Sequence, residues 1–224
     1  MLGRSKAHKS RCVIISGSPD CHVPESVDIL PTDYIIACDR GMAAAQRAGI
    51  MPDIFIGDFD SFCGALPKDL PVISSRPEKD DTDTMMAVRH GLSLGFRDFV
   101  FLCALGGRRD HEFANIASCV YLVNRGAKAQ LLSDSCNVFV IRNSSITLPY
   151  MENRIVSVFS FYEKASGVSI MGLKYELENA TLTSEFPIGT SNEFTDKDGF
   201  IEVQDGVLVI IVLENDKSLN KGLK

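Results

Sequence analysis

Between Cys12 and Ile141 the chain alternates short, continuously apolar runs with stretches of helical spacing. The first run, Cys12–Ser16, stops at Gly17-Ser18-Pro19. Tyr34–Cys38 follows, then Asp39 and a helical stretch over Gly41–Ala48 that Gly49 closes. Asp53–Gly57 and Pro71–Ser75 are further runs, and Thr82–Leu94 has helical spacing. Phe99–Leu105 reads as a strand, Phe113–Val123 as a helix, and Ala129–Leu132 and Val138–Ile141 as strands. A strand that is apolar at every position is buried on both faces, which requires helices above and below it. Such alternation therefore predicts a mostly parallel sheet in a three-layer α/β domain. In these sheets ligands bind beyond the carboxyl ends of the strands. Asp39, Asp58 and the loop Gly106–His111 all follow apolar runs, so they are expected to converge on one edge.

From about Ser144 the texture changes. Ile146–Leu148, Ile155–Phe161, Val168–Met171, Ala180–Thr183, Phe200–Val203 and Val207–Leu213 are short strand-like runs separated by turn residues, with no helical period. The expectation is a small antiparallel β-sandwich over residues 144–224, following an α/β domain over residues 1–143. Asp205-Gly206, between two of these runs, reads as a hairpin turn.

Charge and composition exclude several classes of function. The net charge is −6 and the basic residues are scattered, which argues against nucleic acid as a partner, since phosphate-backbone binding needs a basic face. No apolar run approaches the roughly 20 residues that a membrane span requires. The start, MLGRSKAHKSR, has bases but no apolar stretch, so a secretory signal is not expected. Seven cysteines occur without a CxxC pair, which argues against a zinc site and for a reduced, cytoplasmic setting.

The acids, in contrast, are clustered. Gly57-Asp58-Phe59-Asp60-Ser61 follows a strand, so two carboxylates spaced i, i+2 can approach one ligand. Oxygen donors of this kind suit Mg²⁺, which takes one or two carboxylates together with phosphate oxygens. Glu78-Lys79-Asp80-Asp81-Thr82-Asp83 places four acids within six residues. A helix start accounts for one or two of them through capping and the dipole, and a bound cation would relieve the rest. Asp39 either joins this group or caps the helix after it. Gly106-Gly107-Arg108-Arg109-Asp110-His111 then supplies a flexible backbone before a helix, with Arg108 able to bond phosphate oxygens. Asp110 could cap that helix, and Asn115, one turn on, faces either the same site or solvent. Neither GxxxxGK[ST] nor GxGxxG occurs, so P-loop and hydride-transfer signatures are absent.

Taken in order, Asp39-Arg40-Gly41, Gly57-Asp58-Phe59-Asp60-Ser61, Asp80-Asp81-Thr82-Asp83, Gly106-Gly107-Arg108-Arg109-Asp110-His111 and Gly189-Thr190-Ser191-Asn192-Glu193-Phe194 resemble the thiamine pyrophosphokinase family, of the bacterial type. The resemblance runs from about Cys12 to Leu213. It implies transfer of a pyrophosphoryl group from ATP to thiamine, with Mg²⁺, in a homodimer. It implies a catalytic group of Asp39, Asp58, Asp60 and Asp83, with Asp39, Asp58, Asp80 and Asp83 on the metal. Asp80, Thr82, Arg108 and Asp110 would lie by ATP, and Ser191 and Asn192 by thiamine. The chain departs from the family in carrying Arg40 where a glycine is common, and in having no tryptophan to stack on thiamine, a role left to Phe194, Tyr162 or Phe186. Two other readings use the same residues: a Mg²⁺-dependent nucleotide pyrophosphohydrolase, with water as the acceptor, and a non-catalytic nucleotide sensor. A pterin diphosphokinase would differ only in its acceptor.

Overall fold

The computed structural model describes residues 10–19, 21–58, 64–74 and 81–215. The chain divides into two compact units, Met1–Asp134 and Ser135–Lys224.

The first unit contains strands β1 (Arg11–Ile15), β2 (Asp33–Cys38), β3 (Ile54–Gly57), β4 (Val72–Ser74), β5 (Asp98–Leu102) and β6 (Lys128–Leu132), with helices α1 (Gly41–Arg47), α2 (Asp83–Ser93) and α3 (Arg109–Val123). The strands lie in the order β6-β5-β1-β2-β3-β4, and each neighbouring pair is parallel. The chain builds outward from β1 to β4, then crosses back through α2 to set β5 on the other side of β1. The winding therefore reverses between β1 and β5, where open α/β sheets leave a crevice. Successive side chains of a strand point to opposite faces. Val13, Ile15, Val100 and Leu102 pack with Ala44 and Ala45 of α1. Cys12 and Phe99, of the other parity, meet α2 so closely that a Cβ on Gly91 would come within 2.9 Å of Cys12 and 2.7 Å of Phe99. The sheet is thus covered on both faces, as its apolar runs require. Helix α3 begins at Arg109, ahead of the expected Phe113, because its polar first turn has no apolar period to read.

The second unit holds β7 (Cys136–Arg142), β8 (Ser145–Leu148), β9 (Arg154–Ser160), β10 (Lys164–Met171), β11 (Leu177–Thr183), β12 (Asn192–Glu193), β13 (Gly199–Glu202) and β14 (Val207–Glu214). They form two antiparallel layers, β12-β9-β14-β7 and β11-β10-β13-β8. Val156, Val158, Leu208, Ile210 and Val212 of one layer share a core with Val168, Ile170, Leu182 and Ile201 of the other. That is the packing of a β-sandwich. The strand at Val138–Ile141, read from sequence with the α/β half, is β7 and pairs antiparallel with β14.

The expected hairpin at Asp205-Gly206 is a correction. β13 pairs with β8 and β10, whereas β14 pairs with β7 and β9. The Asp205-Gly206 turn therefore carries the chain from one sheet to the other. Both strands direct alternate apolar side chains into the same core, and burying them from opposite sides outweighs the local turn preference. Strand β12 spans only two residues, too few to show any period.

Candidate active site

The carboxyl ends of β1, β2 and β5 surround a cavity of about 340 Å³ in the first unit. Its floor is a set of tied loops. The Ser16 and Ser18 amides donate to the carbonyls of Leu102 and Cys103, at 2.8 and 3.0 Å. The hydroxyls of Ser16 and Thr84 share a buried hydrogen bond of 3.1 Å, which fixes the start of α2 against the end of β1. Thr82 caps α2, its Oγ1 accepting from the Met85 amide at 3.2 Å, and it lines the cavity beside Asp83 and Thr84.

Asp39 follows β2 with φ at 45°, in the left-handed region that an aspartate enters at a cost. Its Oδ1 is buried without a hydrogen-bond partner. Gly57 makes room for it, since a Cβ there would lie 2.4 Å from that oxygen. Burial first, then the neighbouring carboxylates of Asp83 and Asp58, push Asp39 up to about 8. Asp39, Asp58 and Asp83 are thus brought into one electrostatic group by the ends of β2 and β3 and the start of α2. Asp60 and Asp80 lie outside the described residues. Among the described residues, no three acidic, histidine or cysteine side chains converge tightly enough to ligate one metal ion.

Gly106 and Gly107 both have φ near 90°, and Gly106, Arg108 and Asn115 line the same cavity. Asn115 is buried and donates to the Ala104 carbonyl at 2.8 Å, so it anchors the loop rather than facing solvent. The Glu112 carboxylate accepts from the Gly106 amide at 2.6 Å and from Arg109 at 2.9 Å. Arg108 makes two bonds to Asp110, from Nε at 3.1 Å and from a terminal nitrogen at 2.5 Å, which hold the Asp110 carboxyl down to about 2. Asp110 itself is not among the residues that line the cavity. A glycine-rich backbone, an arginine and a cluster of carboxylates together can grip a polyphosphate and the cation that travels with it.

The loop Ser16-Gly17-Ser18-Pro19 lines the cavity and was read from sequence only as a strand stop. The signal was present: it follows the first apolar run, at the carboxyl edge. Ser191 and Asn192 belong to the second unit. Ser191 has φ at 60° and is exposed. Asn192 is buried, accepting from the Tyr175 amide at 2.9 Å and donating to the Tyr175 carbonyl at 2.7 Å. Of the aromatics expected to face thiamine, Phe194 packs against the second core and meets Tyr150 edge-on, while Tyr162 and Phe186 are exposed.

Two family models match: thiamin pyrophosphokinase, catalytic domain, over residues 29–131, and thiamin pyrophosphokinase, vitamin B1 binding domain, over residues 143–208. A thiamin pyrophosphokinase 1 of Caenorhabditis elegans is 29% identical over 92% of this chain and 90% of its own length. A thiamine pyrophosphokinase of Bacillus subtilis is 26% identical over 88% of this chain and 96% of its own. The crystal structure of a Bacillus subtilis thiamine pyrophosphokinase superposes with a TM-score of 0.81, covering 92% of this chain and all of that one at 24% identity, which bears out the fold. With both domain models matched in order across most of its length, the chain belongs to the thiamin pyrophosphokinase family.

Proposed function

We propose that Asp39, Asp58 and Asp83 form the acidic centre at which this chain transfers a pyrophosphoryl group from ATP to thiamine. The reaction is that of its family and gives thiamine diphosphate and AMP. The observation that carries the assignment is that Asp39 and Asp83 line one cavity with Gly106, with Asp58 interacting with Asp39, where the winding of the sheet reverses.

The thiamine alcohol attacks the β-phosphorus in line, the bond to the bridging oxygen breaks, and AMP departs with that oxygen. Such transfers depend mainly on positioning and on charge stabilisation. The donor set is compatible with Mg²⁺: it is all oxygen, and Asp39 offers a buried oxygen that has no other partner. Asp39, Asp58, Asp83 and, beyond the described residues, Asp80 would hold the ion, which when bound neutralises charge on the phosphates. Either Asp58 or Asp83 takes the alcohol proton, and Asp60 completes the group. Thr82, Arg108 and the Gly106-Gly107 backbone bind phosphate oxygens, and Asp110 holds Arg108 extended until the nucleotide arrives. In the second unit, Asn192 clamps the backbone at Tyr175 and presents Ser191 to thiamine.

The same reading takes the working enzyme as a cytoplasmic homodimer. No helix among the described residues is long and apolar enough to cross a membrane, and the described cysteines are free thiols that suit a reducing compartment. The deciding experiment incubates the protein with ATP, Mg²⁺ and thiamine, and follows AMP and thiamine diphosphate by chromatography. Both products are expected together, and only when thiamine and Mg²⁺ are present. AMP without thiamine would make the chain a hydrolase.

A further inference from the structure

The Gly106-Gly107 loop joins β5 to α3, and both glycines sit at φ near 90°, where only glycine is unstrained. A backbone this free is ordered only by the bonds made to it. On one side Ser18, which lines the cavity, donates from its hydroxyl to the Leu105 carbonyl at 2.7 Å and to the Gly106 carbonyl. On the other, the Gly106 amide donates to Glu112 Oε1 at 2.6 Å. Glu112 is not among the residues that line the cavity, so its carboxylate takes hold of the loop from outside. Its side chain is 17% exposed, and its second oxygen accepts from Arg109 at 2.9 Å. Arg109 is itself 90% exposed, so that ion pair contributes little and the amide bond is the stronger tie.

The spacing is unusual for a helix start. Arg108 occupies the cap of α3 and makes no side-chain cap bond. In a capping box, a glutamate at the third helical position returns to the amide of the cap residue. Glu112 stands at the fourth position, counting from Arg109, and returns past the cap to Gly106. That reach takes the full length of a glutamate. We infer that Glu112 is a positioning residue for the nucleotide: by holding the Gly106 amide from outside the cavity, it fixes the course of the backbone from Gly107 onward, where the polyphosphate of ATP binds. This rests on the phosphate role proposed above for that loop. Glu112 itself touches no substrate. Standing outside the cavity, its carboxylate shapes the loop without entering the space of the phosphates it would repel.

The test measures ATP binding by calorimetry with Mg²⁺, together with kcat and both KM values, for Glu112→Ala, Glu112→Asp and Glu112→Gln in the full chain. Glutamine keeps an oxygen at the right reach without the charge, and aspartate keeps the charge without the reach. ATP affinity is expected to fall about tenfold in the alanine and aspartate variants, as for one lost charge-assisted hydrogen bond, and to recover to within about threefold in the glutamine variant. KM for thiamine is expected to stay at the wild-type value in all three. A favourable charge at the helix start alone predicts the opposite order, with aspartate near wild type and glutamine impaired, and that order overturns the assignment. So does unchanged ATP affinity in Glu112→Ala, or tighter binding, which would make the carboxylate a competitor of the phosphates. An equal rise in both KM values overturns it as well, since Glu112 would then stabilise the fold at large. If ATP affinity follows the expected order while no thiamine diphosphate forms, the transfer reading fails and Glu112 still positions the nucleotide.

Discussion

Strand β2 has an aspartate at each end, and the two could hardly differ more. Asp33, which opens the strand, is 2% exposed and fully employed. Its carboxylate accepts from Arg11 at 3.0 and 2.6 Å and from the Leu30 amide at 2.9 Å. Asp39, just past the other end, has a buried oxygen with no partner, a left-handed backbone and two acidic neighbours. At β3, Asp53, before it, accepts from the Ile35 amide at 2.8 Å, and Asp58, after it, interacts with Asp39. Because all six strands run the same way, the satisfied Asp33 and Asp53 lie at one edge of the sheet, and Asp39, with its unpartnered oxygen, lies at the other. A buried acid with its bonds made is architecture. A half-buried acid with one oxygen unpartnered and two carboxylates beside it stores repulsion that a ligand can relieve.

The contrast is broken most directly by removing acids from the two edges in turn. Asp58→Ala and Asp83→Ala should each lower kcat by about 10³-fold or more, with circular dichroism unchanged, because charge stabilisation and proton transfer contribute on that scale. Asp39→Asn should lose activity as severely while raising Tm in EDTA at pH 8 and above, where Asp39 would otherwise ionise, half-buried, beside two other carboxylates. Asp33→Ala should do the reverse. Breaking a buried, two-bonded ion pair costs about 3 kcal/mol, to be read in a urea melt, while kcat per folded molecule stays near wild type. A Tm gain in Asp33→Ala, or near-normal turnover in Asp58→Ala and Asp83→Ala, would end the distinction between the edges.

This polarity was legible in the sequence as far as it follows single strands. Apolar runs mark strands, and reading one residue past each run finds Asp39, Asp58 and the Gly106-Gly107 loop. The Ser16–Pro19 loop escaped because turn formers look the same whether they merely end a strand or line a site. Only the strand order, with β1 and β5 adjacent at the reversal, makes that loop special, and order is set by pairing between distant residues. The same cause defeated the reading at Asp205-Gly206, where a good local turn signal joins two sheets. Asn192 shows the effect in the second unit. Its partner Tyr175 lies 17 residues away, and nothing in the local segment announces the clamp.

Acidity gives a smaller effect of definite sign. The Asp39 carboxyl is raised from 3.8 in the unfolded chain to about 8 in the folded one, so the folded state holds the proton more tightly. Metal-free protein should therefore be most stable below about pH 4 as far as this group is concerned, and should lose that contribution as pH rises towards 8. Thermal melts in EDTA at pH 5 and pH 8 should show Tm falling by a few degrees. Mg²⁺ should restore more of it at pH 8, where the proton no longer competes. Asp39→Asn should flatten the pH slope, whereas Asp33→Ala should leave it intact. A slope that survives in Asp39→Asn would place the repulsion elsewhere.

The smallest effect sharpens the contrast at a residue that serves both purposes. Thr82 sits at the functional edge, yet its hydroxyl already caps α2 through the Met85 amide. Thr82→Ala should cost about 1 kcal/mol as a lost cap. If the hydroxyl also donates to a phosphate oxygen, as proposed, the KM for ATP should rise several-fold. Thr82→Ser keeps both functions and should match wild type in each. Thr82→Asp keeps the cap, with a carboxylate accepting from the helix amides, but brings another negative charge to the phosphates. Its stability should equal or exceed wild type while its KM for ATP rises beyond that of Thr82→Ala. Equal KM values for Thr82→Ala and wild type, with the cap energy lost, would confine this hydroxyl to architecture and move it to the Asp33 side of the comparison.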